Sequence, residues 1–76
     1  MDEQINAIMT AVKIAIDNMP EGKEFNGWEL KREVVKLYPH ARRCYVDTVL
    51  RCARKARRDN LLCINRRESL YRKVIN

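Results

Sequence analysis

The apolar positions of the chain fall into two kinds of period, and the change from one to the other divides it. Ile5, Ile8, Val12, Ala15, Ile16 and Met19 recur mostly at spacings of three and four, the stripe of a helix with one buried face. The stripe predicts a first helix over about residues 3 to 18. Asp2 is placed to cap it, and Glu3 falls in the first turn, where the helix dipole favours an acid. The polar positions of this helix (Gln4, Asn6, Thr10, Lys13, Asp17) are those of a scaffold element. Pro20-Glu21-Gly22 then ends it, since proline presets a turn and glycine tolerates positive φ.

Lys23-Glu24-Phe25 has room for no more than a small edge strand. Asn26 followed three residues later by Glu29 makes a capping box, with Phe25 and Leu30 in the positions of a hydrophobic staple. A second helix is therefore expected over about residues 27 to 37, with Leu30, Val34 and Leu37 on one face. Pro39 prevents its continuation. After a short link from Tyr38 to Arg43 comes the stretch Tyr45–Asp59, in which Val46, Val49, Leu50, Ala53 and Ala56 again take the helical spacing. Thr48, Arg51 and Lys55 point away from that face, flanked by Cys44, Asp47 and Arg58. No residue from His40 to Tyr45 marks the start of this third helix strongly. Asp59-Asn60 marks its stop, with Asn60 expected in the left-handed cap conformation.

From here the period shortens. Leu61–Ile64 is an apolar run of strand length, Asn65–Glu68 is turn-like, and Ser69–Ile75 alternates. This predicts a β-hairpin with a basic tip, without an Asn-Gly pair to fix its turn length.

Composition narrows the class. Seventy-six residues, 46% apolar and 34% charged, fit one globular domain spanning 1–76 with no spare volume for a deep catalytic cleft. The net charge of +6 is unevenly placed. Residues 1–39 hold five basic and seven acidic residues, net −2, whereas residues 40–76 hold eleven basic and three acidic, net +8. Nine of those eleven are arginine, whose planar fork suits phosphate and guanine. A polyanionic partner follows, with nucleic acid first among them. Three cysteines are no disulfide framework, and no apolar run reaches the length of a bilayer span. The chain is expected to stay inside the cell, cytoplasmic or nucleoid-associated (in the host compartment if viral), with core thiols reduced.

Three helices followed by a basic hairpin is the order of a winged helix-turn-helix domain. The passage Asp47–Leu62 resembles the recognition-helix-to-wing passage of many bacterial, archaeal and phage regulators. There a Thr-Val-x-Arg-x-x-Arg-x-x-Arg pattern leads through a short cap into the first wing strand. Two departures stand out. Asn60 occupies a place usually held by glycine, and the wing is short and lacks the Pro-x-Trp pattern of winged helices that bind Z-DNA. The resemblance implies an α+β fold, three helices with a C-terminal β-hairpin wing. It further implies a small transcription regulator that binds double-stranded DNA without a cofactor. The third helix would enter the major groove, and the wing would lie on the backbone or minor groove.

Within that frame Arg51 is the candidate for bidentate contact with guanine, beside Thr48 and Lys55. Arg42 and Arg43, before the helix, are candidates for phosphate contact, with Arg58 at its other end. Arg66, Arg67 and Arg72 on the hairpin are candidates for phosphate or minor-groove contact. Tyr45 and Tyr71 are candidates either to offer a hydroxyl to phosphate or to be half-buried, and Tyr45 joins the site residues. Each of the charged candidates also has a plainer role as solvated charge. Arg57 is expected to lay its stem over the core and Arg54 to lie on the helix flank. Trp28 is expected to pack in the core or staple.

Other chemistry is poorly served. His40, Cys44, Cys52 and Cys63 lack any Cys-x-x-Cys pair, so neither a zinc site nor a cysteine nucleophile is expected. With two glycines there is no phosphate-cradling loop, and the chain is not expected to be an enzyme. Two other readings fit the same residues. One is a winged-helix module that meets an acidic protein partner, and the other an RNA-binding or replication-accessory module. A homodimer would have to use the first helix or the wing edge.

Overall fold

In the computed structural model, which describes residues 3–75, the first stripe forms helix α1 (Glu3–Asp17). The expected cap at Asp2 lies outside the described residues, as does the side chain of Glu3. Ile8, Ala11, Val12, Ala15 and Ile16 are buried along α1, with Ile5 and Met19 half-buried at the ends of the stripe. The chain then reverses at Pro20–Lys23, where the Lys23 amide donates to the Pro20 carbonyl at 3.1 Å. Gly22 sits at φ 85°, as the third position of a type II turn requires.

The Lys23–Phe25 segment does form an edge strand, β1 (Glu24–Phe25). Helix α2 (Gly27–Leu37) follows, opened by the capping box the spacing predicts. The Glu29 amide donates to Asn26 Oδ1 at 2.9 Å, and the Asn26 amide donates to Glu29 Oε1 at 3.1 Å. Both staple residues, Phe25 and Leu30, are buried in the core. Gly27, the first residue of α2, lies against the third helix so closely that a Cβ there would come within 2.5 Å of Val46 Cγ1 and 2.9 Å of Leu50 Cδ1.

Where the sequence suggests only a short link, Pro39–Arg43 winds into a 3-10 turn that buries Ala41. Helix α3 (Val46–Ala56) starts at Tyr45, which is extended and offers no side-chain cap. Val49, Leu50 and Ala53 are buried as the stripe predicts, and Cys52 joins them. Val46 and Ala56 are half-buried. The three helices and Phe25 and Tyr71 share one core.

The stop after α3 differs from the sequence expectation. Asn60 is not in the left-handed region; it closes a second 3-10 turn, Arg58–Asn60. The reason is its partner. Asn60 Nδ2 donates to the Val74 carbonyl at 3.0 Å, and the Val74 amide donates back to the Asn60 carbonyl at 2.9 Å. This reciprocal pair fixes the base of the hairpin.

Strands β2 (Leu61–Asn65) and β3 (Leu70–Lys73) form that hairpin. The turn falls on residues 66–69, one residue later than the sequence suggests. Its last residue, Ser69, takes φ 53°, and the register slips between Cys63 and Asn65. β3 is the central strand of an antiparallel sheet ordered β1-β3-β2. Tyr71 and Lys73 point inward from it, while Leu70 and Arg72 take the other side. The Tyr71 ring stacks on Phe25 with centroids 6.1 Å apart. Lys73 is 6% exposed, and its ammonium donates to the carbonyls of Ile16 at 2.8 Å and Met19 at 3.1 Å. It thereby gives the Ile16 carbonyl, in the last turn of α1, a second donor beside the Met19 amide, and gives the Met19 carbonyl, two residues past that helix, a donor.

The fold is α+β, three helices followed by a small antiparallel hairpin that joins a three-stranded sheet, a layout compatible with a winged helix. No helix among the described residues is long and apolar enough to cross a membrane.

Candidate functional site

Helix α3 stands on the core with its buried stripe and leaves its other side open. β2 and β3 rise beside it, with Tyr71 held down by Phe25. Helix and hairpin therefore form the two walls of a cleft of about 890 Å³. Arg51, Arg54, Lys55 and Arg58 line one wall and Arg66 the other, with Tyr71 between them; among the described residues no carboxylate lines it. All five cations are exposed, and among the described residues none of them is in an ion pair. Like charges this close repel, weakly in water and more strongly where the walls exclude it. An anion in the cleft relieves that repulsion.

One of the five is held in place. Arg54 Nη1 donates to the Tyr71 hydroxyl at 3.1 Å across the floor of the cleft. The helical period alone places Arg54 on the flank of α3. At about 100° per residue Arg54 lies about 60° to one side of Arg51 and Thr48 about 60° to the other. The wing stands on the Arg54 side. The basic arc therefore includes Arg54 and Arg58, while Thr48 lies outside the cleft and is half-buried.

Arg42 and Arg43 are exposed on the 3-10 turn before α3, outside the cleft, and Tyr45 at the start of α3 is 82% exposed. Arg67 is exposed at the tip of the hairpin. Arg72 is committed elsewhere, since its Nε and Nη2 both donate to Glu24 Oε2, at 3.2 and 2.7 Å, on the outer side of the sheet. Arg57 does more than cover the core. Its Nε and Nη2 donate to the two oxygens of Asp17 at 2.9 and 2.8 Å, tying the end of α3 to the end of α1. The hydrogen bonds from Arg57 hold the Asp17 carboxyl below its usual range, and Asp17 in turn raises Arg57.

Trp28 is not packed in the core but 69% exposed, because the first turn of α2 uses Gly27 and Leu30 for its inward contacts. Of the three cysteines Cys52 is buried in the core and Cys44 packs against it half-buried, but Cys63 is exposed on the cleft wall. Burial, with Cys44 nearby, pushes the Cys52 thiol up, so it stays protonated at neutral pH.

A second hollow of about 240 Å³ lies by the end of α1, β1 and α2. It mixes Lys23 and Arg32 with Glu29 and Glu33, so it carries no dominant sign of charge. The cleft between α3 and the wing is thus the chemically distinctive surface. Comparison of the chain with protein-family models, with curated proteins and with solved structures finds no match.

Proposed function

We propose that the chain is a double-stranded DNA-binding protein that acts as a small transcription regulator. The observation that carries this reading is the cleft, which among the described residues holds five cations outside any ion pair and no carboxylate, between an exposed helix face and a hairpin. A helix about 10–12 Å across fits a major groove about 12 Å wide. Inserted there, α3 turns Arg51 and Lys55 toward base edges, while the strand beside it passes between helix and wing. Arg66 and Arg67 then meet the backbone or the minor groove, and Arg42 and Arg43 meet phosphates near the start of α3. Arg72 is assigned no contact, since Glu24 already neutralises it.

The test is titration of the protein with duplex DNA, single-stranded DNA and structured RNA, each at two salt concentrations. The expected result is tightest binding to duplex, weakened at the higher salt. Tighter binding to RNA or to single strands overturns the duplex reading. Absence of binding to all three at low salt overturns the nucleic-acid reading and leaves an acidic protein as the partner.

A further inference from the structure

We infer that Arg54 is the residue that grips a phosphate of the strand lying in the cleft, and that the Tyr71 hydroxyl positions it for that contact. The inference rests on the DNA-binding reading above and says how one strand is held.

An arginine on an exposed helix face samples many rotamers, and ordering it on binding costs conformational entropy. Arg54 is the exception in this cleft. Its Nη1 already donates to Tyr71 at 3.1 Å. Tyr71 is itself 7% exposed, stacked on Phe25, and carried by the central strand of the sheet. The chain of contacts from Phe25 to Tyr71 to Arg54 therefore fixes one guanidinium above the floor of the cleft.

The chemistry left over suits an anion with several acceptor oxygens. Guanidinium has five N–H groups, and the bond to Tyr71 uses one of them. Nε and Nη2, which lie on the same edge of the group, stay free for a two-pronged contact with a phosphate. The Tyr71 hydroxyl accepts from Arg54, so its own proton remains available to a phosphate oxygen. Arg51, Lys55, Arg58 and Arg66 surround this pair, raising the local positive potential without such an anchor. Phosphate is favoured over a base edge because Arg54 lies on the wing side of α3 rather than on its outermost face.

The experiment compares wild type, Arg54→Ala, Arg54→Lys, Tyr71→Phe and the double variant Arg54→Ala/Tyr71→Phe in binding to one duplex across a salt series. Arg54→Ala should weaken binding about tenfold and lower the salt slope by about one. Arg54→Lys should restore the slope but not the affinity, because lysine keeps the charge and loses the fork. Tyr71→Phe keeps the ring in place and should weaken binding about threefold with the melting temperature unchanged. In the Arg54→Ala background the same change should cost clearly less, since only a direct contact of the Tyr71 hydroxyl with phosphate is left to lose. Equal loss from Tyr71→Phe in both backgrounds overturns the positioning role. Wild-type binding that Arg54→Ala leaves intact overturns this inference alone, whereas wild type that binds no duplex overturns the functional reading on which it rests.

Discussion

Replacing Lys73 with methionine tests how the wing is joined to the helices. Lys73 is nearly enclosed, and its ammonium meets the carbonyls of Ile16 and Met19 at 2.8 and 3.1 Å. Two opposing effects set the outcome. Each hydrogen bond from a charged donor contributes about 1.5–3 kcal/mol, so the two give about 3–6 kcal/mol. Burying the ammonium costs several kcal/mol in return, and exchanging a buried charge for an apolar group of similar shape is sometimes stabilising. The carbonyls decide between them. Methionine fills the space of the stem but leaves the Met19 carbonyl with no partner among the described residues, and an unsatisfied buried acceptor costs about 1–3 kcal/mol. We expect a net loss of about 2 kcal/mol, a large share of the stability of so small a domain. For a domain of this size that lowers the melting temperature by about 8–16 °C. Thermal unfolding followed by circular dichroism measures it. Lys55→Met, the same chemical change on the exposed cleft wall, should move the midpoint by no more than about 4 °C. A Lys73→Met variant as stable as wild type, or more so, would refute the capping role.

Two further changes probe other joints. Gly27→Ala improves helix propensity by about 1 kcal/mol, yet it should destabilise the protein by about 1–3 kcal/mol in denaturant unfolding. The added Cβ meets Val46 Cγ1 at 2.5 Å, and an unchanged or raised midpoint would show that α2 and α3 separate freely. Asp17→Asn removes the carboxylate that Arg57 holds below its usual range. A depressed folded pKa gives stability that is present above the unfolded value, about 3.9, and is lost as pH falls through the folded one. Wild type should therefore exceed Asp17→Asn in melting temperature at pH 7, with the gap closing below about pH 4. A gap that is constant with pH would mean that the ion pair does not contribute.

The parts legible in the sequence are those that depend on near neighbours. The stripes from Ile8 to Ile16 and from Val49 to Ala53 declare α1 and α3 because burial follows the helical period. Asn26 and Glu29 declare the start of α2 because a capping box closes within four residues. What sequence reasoning missed depends on partners far along the chain. Arg57 and Asp17 are 40 residues apart and Lys73 and Ile16 are 57 apart, and nothing in either local pattern announces the other. Alternation in the last strand puts Lys73 opposite Arg72 but does not say which of them faces the core. Asn60 reads as a left-handed cap until Val74 is seen to claim its side chain. The candidate site was partly legible for the same reason. Arg51, Lys55 and Arg58 follow from the face of α3 alone. Arg54 becomes a cleft residue only once Tyr71 is placed beside it, and Arg72 leaves the candidate set only once Glu24 is found across the sheet. A signal for Arg54 was present in its place within the Thr-Val-x-Arg-x-x-Arg-x-x-Arg pattern, but not the side on which the wing would stand.

The central claim is that the cleft between α3 and the wing neutralises DNA phosphates, and the salt dependence of duplex binding tests it most directly. With about five or six phosphates neutralised, log K should fall against log salt with a slope of about −5. Removing three of the five cleft cations, in the variant Arg51→Ala/Arg58→Ala/Arg66→Ala, should bring the slope to about −2 while the fold persists, since all three side chains are exposed. A wild-type affinity independent of salt, or a triple variant that keeps the wild-type slope, would contradict the account.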